Sequence, residues 1–206
     1  MKIHAEPLLK PACFQAPTKF DEHTKLHHST VVRNISGPIG LTRKSYDFVV
    51  GEDVMLRAIK KGGRYQIYDI SGTDPLLRGA LVQGVCKDIG YQLQKEDGSV
   101  TATIYYKISL AKNAPRQAEV HLNGAESPVG SPIFRSRGPN TDAGKYGLNF
   151  RGRGRVASCK NLQLTDNDGK MVLQMAKWSP HQFHVDYKAD FCPFQAFGFA
   201  LAQFDL

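Results

Sequence analysis

Residues 190–204 read D-F-C-P-F-Q-A-F-G-F-A-L-A-Q-F, and how this stretch is taken decides the fold. After Asp190 it carries no charge, and Gln195 and Gln203 are its polar side chains. Asp190 is placed to cap a first helical turn, and Pro193 falls early, where its missing N–H costs little. At the helical repeat, Phe191, Phe194, Phe197, Phe199, Leu201 and Phe204 point in most directions. A helix that is apolar nearly all round must be enclosed by protein or by lipid. This one would be about 14 residues and ~20 Å long, against ~30 Å of hydrocarbon for a membrane span. Gly198 further weakens a membrane reading. The stretch is expected to be a core helix enclosed by the rest of the chain.

The enclosure is written upstream. From Thr30 the chain is a series of short β-branched and aromatic runs separated by turn signals such as Gly62-Gly63, Asp97-Gly98, Asn123-Gly124 and Asp168-Gly169. Strands are predicted over 30–34, 45–50, 54–59, 64–70, 79–86, 90–94, 99–110, 117–122, 146–150, 156–164, 171–177 and 182–187, with 125–145 a long Gly/Pro/Ser-rich loop. Ten to twelve short strands at this spacing indicate a sandwich or barrel. A barrel interior can hold a helix, so the two observations together predict a closed antiparallel barrel threaded by its own last helix. Residues 1–29 show no clear period and are expected to form an irregular tail or strap before a domain over 30–206.

The 206 residues suit one domain. No run of 18 apolar residues occurs, and Met1–Lys10 does not resemble a secretory signal. Cys13, Cys86, Cys159 and Cys192 are widely spaced and form no C-x-x-C, which suggests structural thiols in a reducing compartment. Lys and Arg number 27 against 19 Asp and Glu, a net +8 that favours polyanionic partners without choosing among nucleic acid, anionic membrane and phosphorylated lipid. His23, His27 and His28 lack a complementary pair at ligand spacing, and alternation puts His181 and His184 on opposite faces, so no metal site is expected. No G-x-S-x-G, H-E-x-x-H or phosphate-binding loop occurs, so neither an enzyme nor a cofactor is expected.

F-R-G-R-G-R-V-A-S-C-K-N-L-Q over 150–163 and F-H-V-D-Y-K-A-D-F-C-P-F-Q-A-F-G-F-A-L-A-Q-F-D over 183–205 resemble, in order, the two signatures of the tubby C-terminal domain family. I-Y-Y-K-I-S-L-A-K-N-A-P-R-Q-A-E-V-H-L-N-G over 104–124 is similar to the family's middle strands. The resemblance implies a mainly β fold, a closed antiparallel barrel of about 12 strands around a central hydrophobic C-terminal helix. It also implies binding of phosphoinositides, chiefly phosphatidylinositol 4,5-bisphosphate, through a basic cleft. Localisation would be peripheral on the cytoplasmic face of the plasma membrane and in the cytoplasm, with nucleus or cilium (flagellum) as further sites and trafficking or signalling as the role.

Such a headgroup needs several Lys and Arg converging from neighbouring strands. Matching V-M-L-R-A-I-K-K-G-G-R-Y-Q-I-Y-D to the family's basic strand end selects Lys60, Lys61 and Arg64 as headgroup ligands. G-V-C-K-D-I-G then adds Lys87, where the family has Arg, so the charge is kept and the bidentate fork is lost. A second register takes Leu56-Arg57 as the family's L-R step and moves the basic strand end to Arg43 and Lys44. Two other functions stay open. Net charge and R-G-R-G-R at 151–155 suit a nucleic-acid-binding, transcription-related protein. The helix-in-barrel plan is shared by scramblase-like lipid-associated barrels. The expected partner is a phosphoinositide-containing membrane surface, with nucleic acid as the alternative, a protein cargo or adaptor unspecified, and the chain monomeric.

Overall fold

The computed structural model of the chain describes residues 19–21, 25–38, 43–84, 89–107, 116–123, 132–138, 140–142 and 145–206. Fifteen strands lie in chain order: β1 Lys19–Asp21, β2 Leu26–Ser36, β3 Arg43–Val50, β4 Asp53–Lys61, β5 Arg64–Asp69, β6 Leu76–Gln83, β7 Ile89–Lys95 and β8 Val100–Lys107, then β9 Gln117–Leu122, β10 Ile133–Ser136, β11 Asn140–Asp142, β12 Lys145–Gly147, β13 Leu162–Thr165, β14 Met171–Lys177 and β15 Gln182–Tyr187. Among the described residues one helix, α1 Pro193–Asp205, ends the fold.

Alternation along these strands makes the barrel. In β5, Tyr65, Ile67 and Asp69 are buried while Gln66 and Tyr68 between them are partly exposed, so one face looks inward. The antiparallel ladder runs β2-β15-β14-β13-β10-β9-β8-β7-β6-β5-β4-β3, and β3 pairs again with β2, closing a ring of twelve. Closure leaves no open edge through the ring. β1 pairs with Leu26–His28 on β2, while β3 pairs with β2 from Thr30 onward. β11 and β12 form a separate two-stranded ribbon.

The ring encloses α1. Phe197, Phe199, Ala200, Leu201 and Ala202 are fully buried. Phe197 packs 5.4 Å from Phe48, and Phe204 lies 4.8 Å from both Tyr46 and Phe183. Burying each Phe or Leu is worth ~1.5–3 kcal/mol, so an all-round apolar helix is the natural axis for a barrel with an inward apolar wall. Gly198 sets the closest approach: a Cβ there would sit 2.7 Å from both Leu93 methyls. Gly79, at φ +153°, lets β6 pass the β7 backbone, where a Cβ would meet the Gln94 carbonyl oxygen at 2.0 Å.

Several boundaries differ from the sequence expectation. The helix starts at Pro193, with Cys192 as N-cap at ψ 163°, and Asp190 stays in the preceding turn. The residue before a proline is held out of the α region, so Pro193 fixes the start, and Gln195 Oε1 accepts the Cys192 N–H at 3.1 Å. The barrel reaches upstream of residue 30, since β2 begins at Leu26 and β1 is paired to it. The strand predicted over 156–164 begins only at Leu162. Residues 148–161 instead form a turn-rich strap across β14 and β15, held by main-chain bonds from Arg155 and Val156 to the Lys177 carbonyl. Cys192 is disulfide-bonded, where the sequence reading expects a thiol, and Cys159 is an exposed free thiol.

Candidate functional site

The β4–β5 hairpin turns on Gly62 and Gly63, both left-handed at φ 58° and 78°, the conformation a two-residue type I′ turn requires. Lys61 and Arg64 are directly paired across it. Alternation then divides the hairpin's cations. Leu56 and Ala58 face the core, so Lys60 follows them to the inner rim, and its Nζ donates to the Asp205 carboxylate. The same ammonium lies 5.2 Å over the Tyr65 ring. Lys61 and Arg64 are exposed on the outer side.

The alternative pair, Arg43 and Lys44, opens β3, also exposed. Ser45 pairs with Ile59, so the start of β3 lies beside the end of β4. The two sequence registers thus select neighbouring positions on one barrel rim. Arg57 stands apart. It lies mid-strand, its Nε and Nη2 donating to Asp47 at 2.7 and 3.0 Å, and Asn34 Nδ2 adds a third bond to that carboxylate at 2.8 Å. Hydrogen bonding to Asp47 raises the Arg57 pKa further, leaving a locked ion pair. Lys87 lies outside the described residues.

This rim is also where α1 ends. Asp205 accepts further bonds from Tyr65 Oη at 3.0 Å and Tyr91 Oη at 3.3 Å. Burial and the adjacent carboxylate push the Tyr91 phenol up to about 12, and raise Tyr65 more. Arg116 donates to the main-chain oxygens of Gln203 at 2.6 Å and Leu206 at 2.5 Å, while Lys160 Nζ reaches Gln203 O at 2.9 Å. Last-turn carbonyls have no partner within a helix and carry the negative end of its dipole. Arg116, Lys160 and Lys60 supply the cations. The sequence reading missed this cluster; its only signal was a helix without charge before Asp205, whose carbonyls had to be met from elsewhere.

A second polar network binds the strap to the wall. Asp186 is fully buried and accepts from Arg153 Nη2 at 2.7 Å, Arg153 Nε at 3.0 Å and Gln174 Nε2 at 2.8 Å, with His28 Nδ1 at 2.7 Å. Burial pushes its carboxyl up, but these donors outweigh burial and hold it below the usual carboxylate range. Gln163 bridges Gln174 to the Asn149 carbonyl. Arg155 stacks 3.8 Å from the Trp178 ring, and of the three arginines only Arg151, left-handed at φ 50°, is exposed without a side-chain partner among the described residues. Two of the three arginines of R-G-R-G-R are therefore engaged internally. His184 packs 4.7 Å from Trp178 and contacts the Arg153 carbonyl at 2.8 Å; His181 lies by Arg33. Among the described residues no three His, Cys, Asp or Glu converge on a metal position, and no helix is long and apolar enough to cross a membrane.

A closed twelve-stranded antiparallel barrel around an apolar C-terminal helix, its strap pinned by a buried Arg–Asp pair, defines a class of domain. Residues 126–206 match the family model described as Tub family. Tubby-related protein 1 of Mus musculus is 29% identical over 198 residues, covering 82% of this chain and 34% of that protein. Protein king tubby 2 of Aedes aegypti is 43% identical over 97 residues, covering 46% of this chain and 21% of its own. Tubby-like F-box protein 6 of Oryza sativa subsp. japonica is 30% identical over 127 residues, 45% of this chain and 32% of its own. The C-terminal part of the chain, residues 126–206, thus matches the Tub family, and the chain as a whole is similar to tubby-related proteins. It spans about a third or less of the length of these relatives.

Proposed function

We propose that the barrel is a phosphoinositide-binding peripheral membrane module, acting at the cytoplasmic face of a membrane in trafficking or signalling. The observation that carries this reading is the convergence on one rim of Arg43, Lys44, Lys61 and Arg64, exposed cations that no hydrogen bond or ion pair ties down among the described residues. Two phosphomonoesters need several such donors from adjacent strands, and β3, β4 and β5 present them side by side. Lys60 contributes field at the same rim while anchoring Asp205. Lys87 completes the set proposed from the sequence. The module acts by binding rather than by chemistry.

Co-sedimentation tests the reading, comparing vesicles containing phosphatidylinositol 4,5-bisphosphate with vesicles of equal charge made with phosphatidylserine. Selective binding by the wild type should fall in Lys61→Ala/Arg64→Ala and in Arg43→Ala/Lys44→Ala. Each cation near an anionic surface is worth ~1 kcal/mol, so each double variant should lose at least tenfold. Equal binding to both vesicles, unchanged by the variants, would sink the headgroup reading. The nucleic-acid reading draws little from R-G-R-G-R, because Arg153 and Arg155 are already engaged.

A further inference from the structure

The two rims of the barrel differ in charge along its whole axis. Where α1 ends, Arg43 and Lys44 open β3, Lys61 and Arg64 close the β4–β5 hairpin, Lys107 ends β8 and Lys177 ends β14. The described strand ends here carry a single carboxylate, that of Asp205, and Lys60 already occupies it. Where α1 begins, the turns are acidic. Glu52 and Asp53 join β3 to β4, Glu96 and Asp97 join β7 to β8, and Asp190 precedes the helix, all exposed. Arg78 and Lys170 at that rim are paired with Asp69 and Asp168, while Lys25, Lys95 and Lys188 offset part of the charge.

Exposed apolar side chains also occur on the basic rim. Four large ones stand out among the described residues: Ile35 at 47%, Ile59 at 43%, Leu76 at 49% and Tyr105 at 40% exposure. Ile35 pairs with Lys44 and Ile59 with Ser45, so both isoleucines lie among the basic strand ends. Leu76 is at the acidic rim, where β6 starts, and Tyr105 is on the wall against His121.

We infer that the barrel docks end-on, the rim where α1 ends facing an anionic bilayer, with Ile59 and Ile35 entering the headgroup–acyl boundary between cations seated on lipid phosphates. The inference rests on the membrane reading above and adds an orientation and an apolar contact to it. Basic residues around an apolar centre are what an anionic interface selects, and the acidic rim is repelled, so the charge axis alone aligns the molecule with the surface normal. A single headgroup pocket would not need the polarity to extend to Lys107 and Lys177, each four strands round the ring from β4.

The test places one indole at each rim. Trp178 is the only tryptophan, so Trp178→Phe/Ile59→Trp and Trp178→Phe/Leu76→Trp each report a single site; circular dichroism confirms the fold of both. The vesicles are phosphatidylcholine with phosphatidylserine, with bromine on the acyl chains as quencher, and separately with phosphatidylinositol 4,5-bisphosphate. The Ile59→Trp protein should be quenched several-fold more than the Leu76→Trp protein. Ile59→Asp should lower vesicle partitioning about tenfold, from lost apolar burial and an added negative charge, and Leu76→Asp should not. Quenching of the Leu76→Trp indole, or of neither indole on vesicles that are bound, overturns end-on docking and leaves headgroup selectivity untouched. Quenching at position 59 without phosphoinositide selectivity keeps the docking and overturns the headgroup pocket. Failure of the wild type to bind any anionic vesicle overturns both.

Discussion

Arg153→Met tests the pair that fastens the strap. Asp186 is completely buried, and Arg153 supplies two of its hydrogen bonds and its guanidinium charge at 2.7 Å. Removing one partner of a buried ion pair costs ~3–5 kcal/mol, because the other charge stays buried without compensation. For a domain of this length ~1 kcal/mol is about 2–4 °C, so the midpoint should fall by roughly 6–20 °C. The pH dependence is the sharper readout. In the wild type the Asp186 carboxyl is held below its ordinary value of 3.8, so its stabilisation is full above that value and is lost as the pH falls through the depressed one. In Arg153→Met the burial that pushes the carboxyl up is no longer outweighed. Its folded pKa then lies above the unfolded one, and protonation stabilises the fold as the pH falls. The cost of the mutation should therefore shrink from pH 7 to pH 4.5. His28 contacts the same carboxylate at 2.7 Å, so Arg153→Met/His28→Gln should cost more than Arg153→Met alone. Denaturant unfolding across this range measures it. A cost below ~1 kcal/mol, the level of an exposed pair, or one independent of pH, would refute the argument that a buried, fully compensated carboxylate holds the strap.

Three further outcomes follow from single contacts. Gly79→Ala should not yield folded protein, since its Cβ would meet Gln94 O at 2.0 Å in a backbone conformation L side chains rarely adopt; soluble yield and circular dichroism decide. Asp205→Ala leaves the hydroxyls of Tyr65 and Tyr91 without their acceptor and should cost ~1–3 kcal/mol, read by thermal melting, with the last helical turn losing amide-exchange protection first. His184 is held below its ordinary 6.5 by burial and by the Arg153 charge. Its stabilisation is present above 6.5 and lost as the pH falls through the depressed value, so a His184→Gln protein should lose less stability than wild type between pH 7 and 5.

What could be read from the sequence was what repeats. Alternation at positions such as Tyr65, Ile67 and Asp69 fixed strand existence, and the bounds of β9, β14 and β15 match the observed ones. The helix was legible because an apolar surface on all sides admits few environments. The strap over 148–161 was not, since Val156 resembles a strand residue locally while the segment is held by distant partners, Asp186 and the Lys177 carbonyl. The basic rim was half legible. Lys61 and Arg64 flank a glycine turn that the text announces, but only the β3–β4 register shows that Arg43 and Lys44 come to the same place. That Lys60 faces inward follows from the parity of β4, yet its carboxylate partner lies 145 residues away.

The fold itself explains how the two signature-like segments, 150–163 and 183–205, are joined and why their end of the barrel is basic. An apolar helix offers no side chain to its own last carbonyls, so the surrounding strands must bring cations to its C-terminus. Lys60, Arg116 and Lys160 do so, the last from within the first signature onto Gln203 in the second. Arg153 joins the signatures again through Asp186. Cations committed to the helix are spent on structure, and substituting them perturbs folding before it perturbs binding. Arg43, Lys44, Lys61 and Arg64 sit one layer outside this clamp, exposed and tied to nothing described. The rim therefore separates cations that close the helix from cations offered to a partner, and variants in the second set alone can report on the membrane without reporting on the barrel.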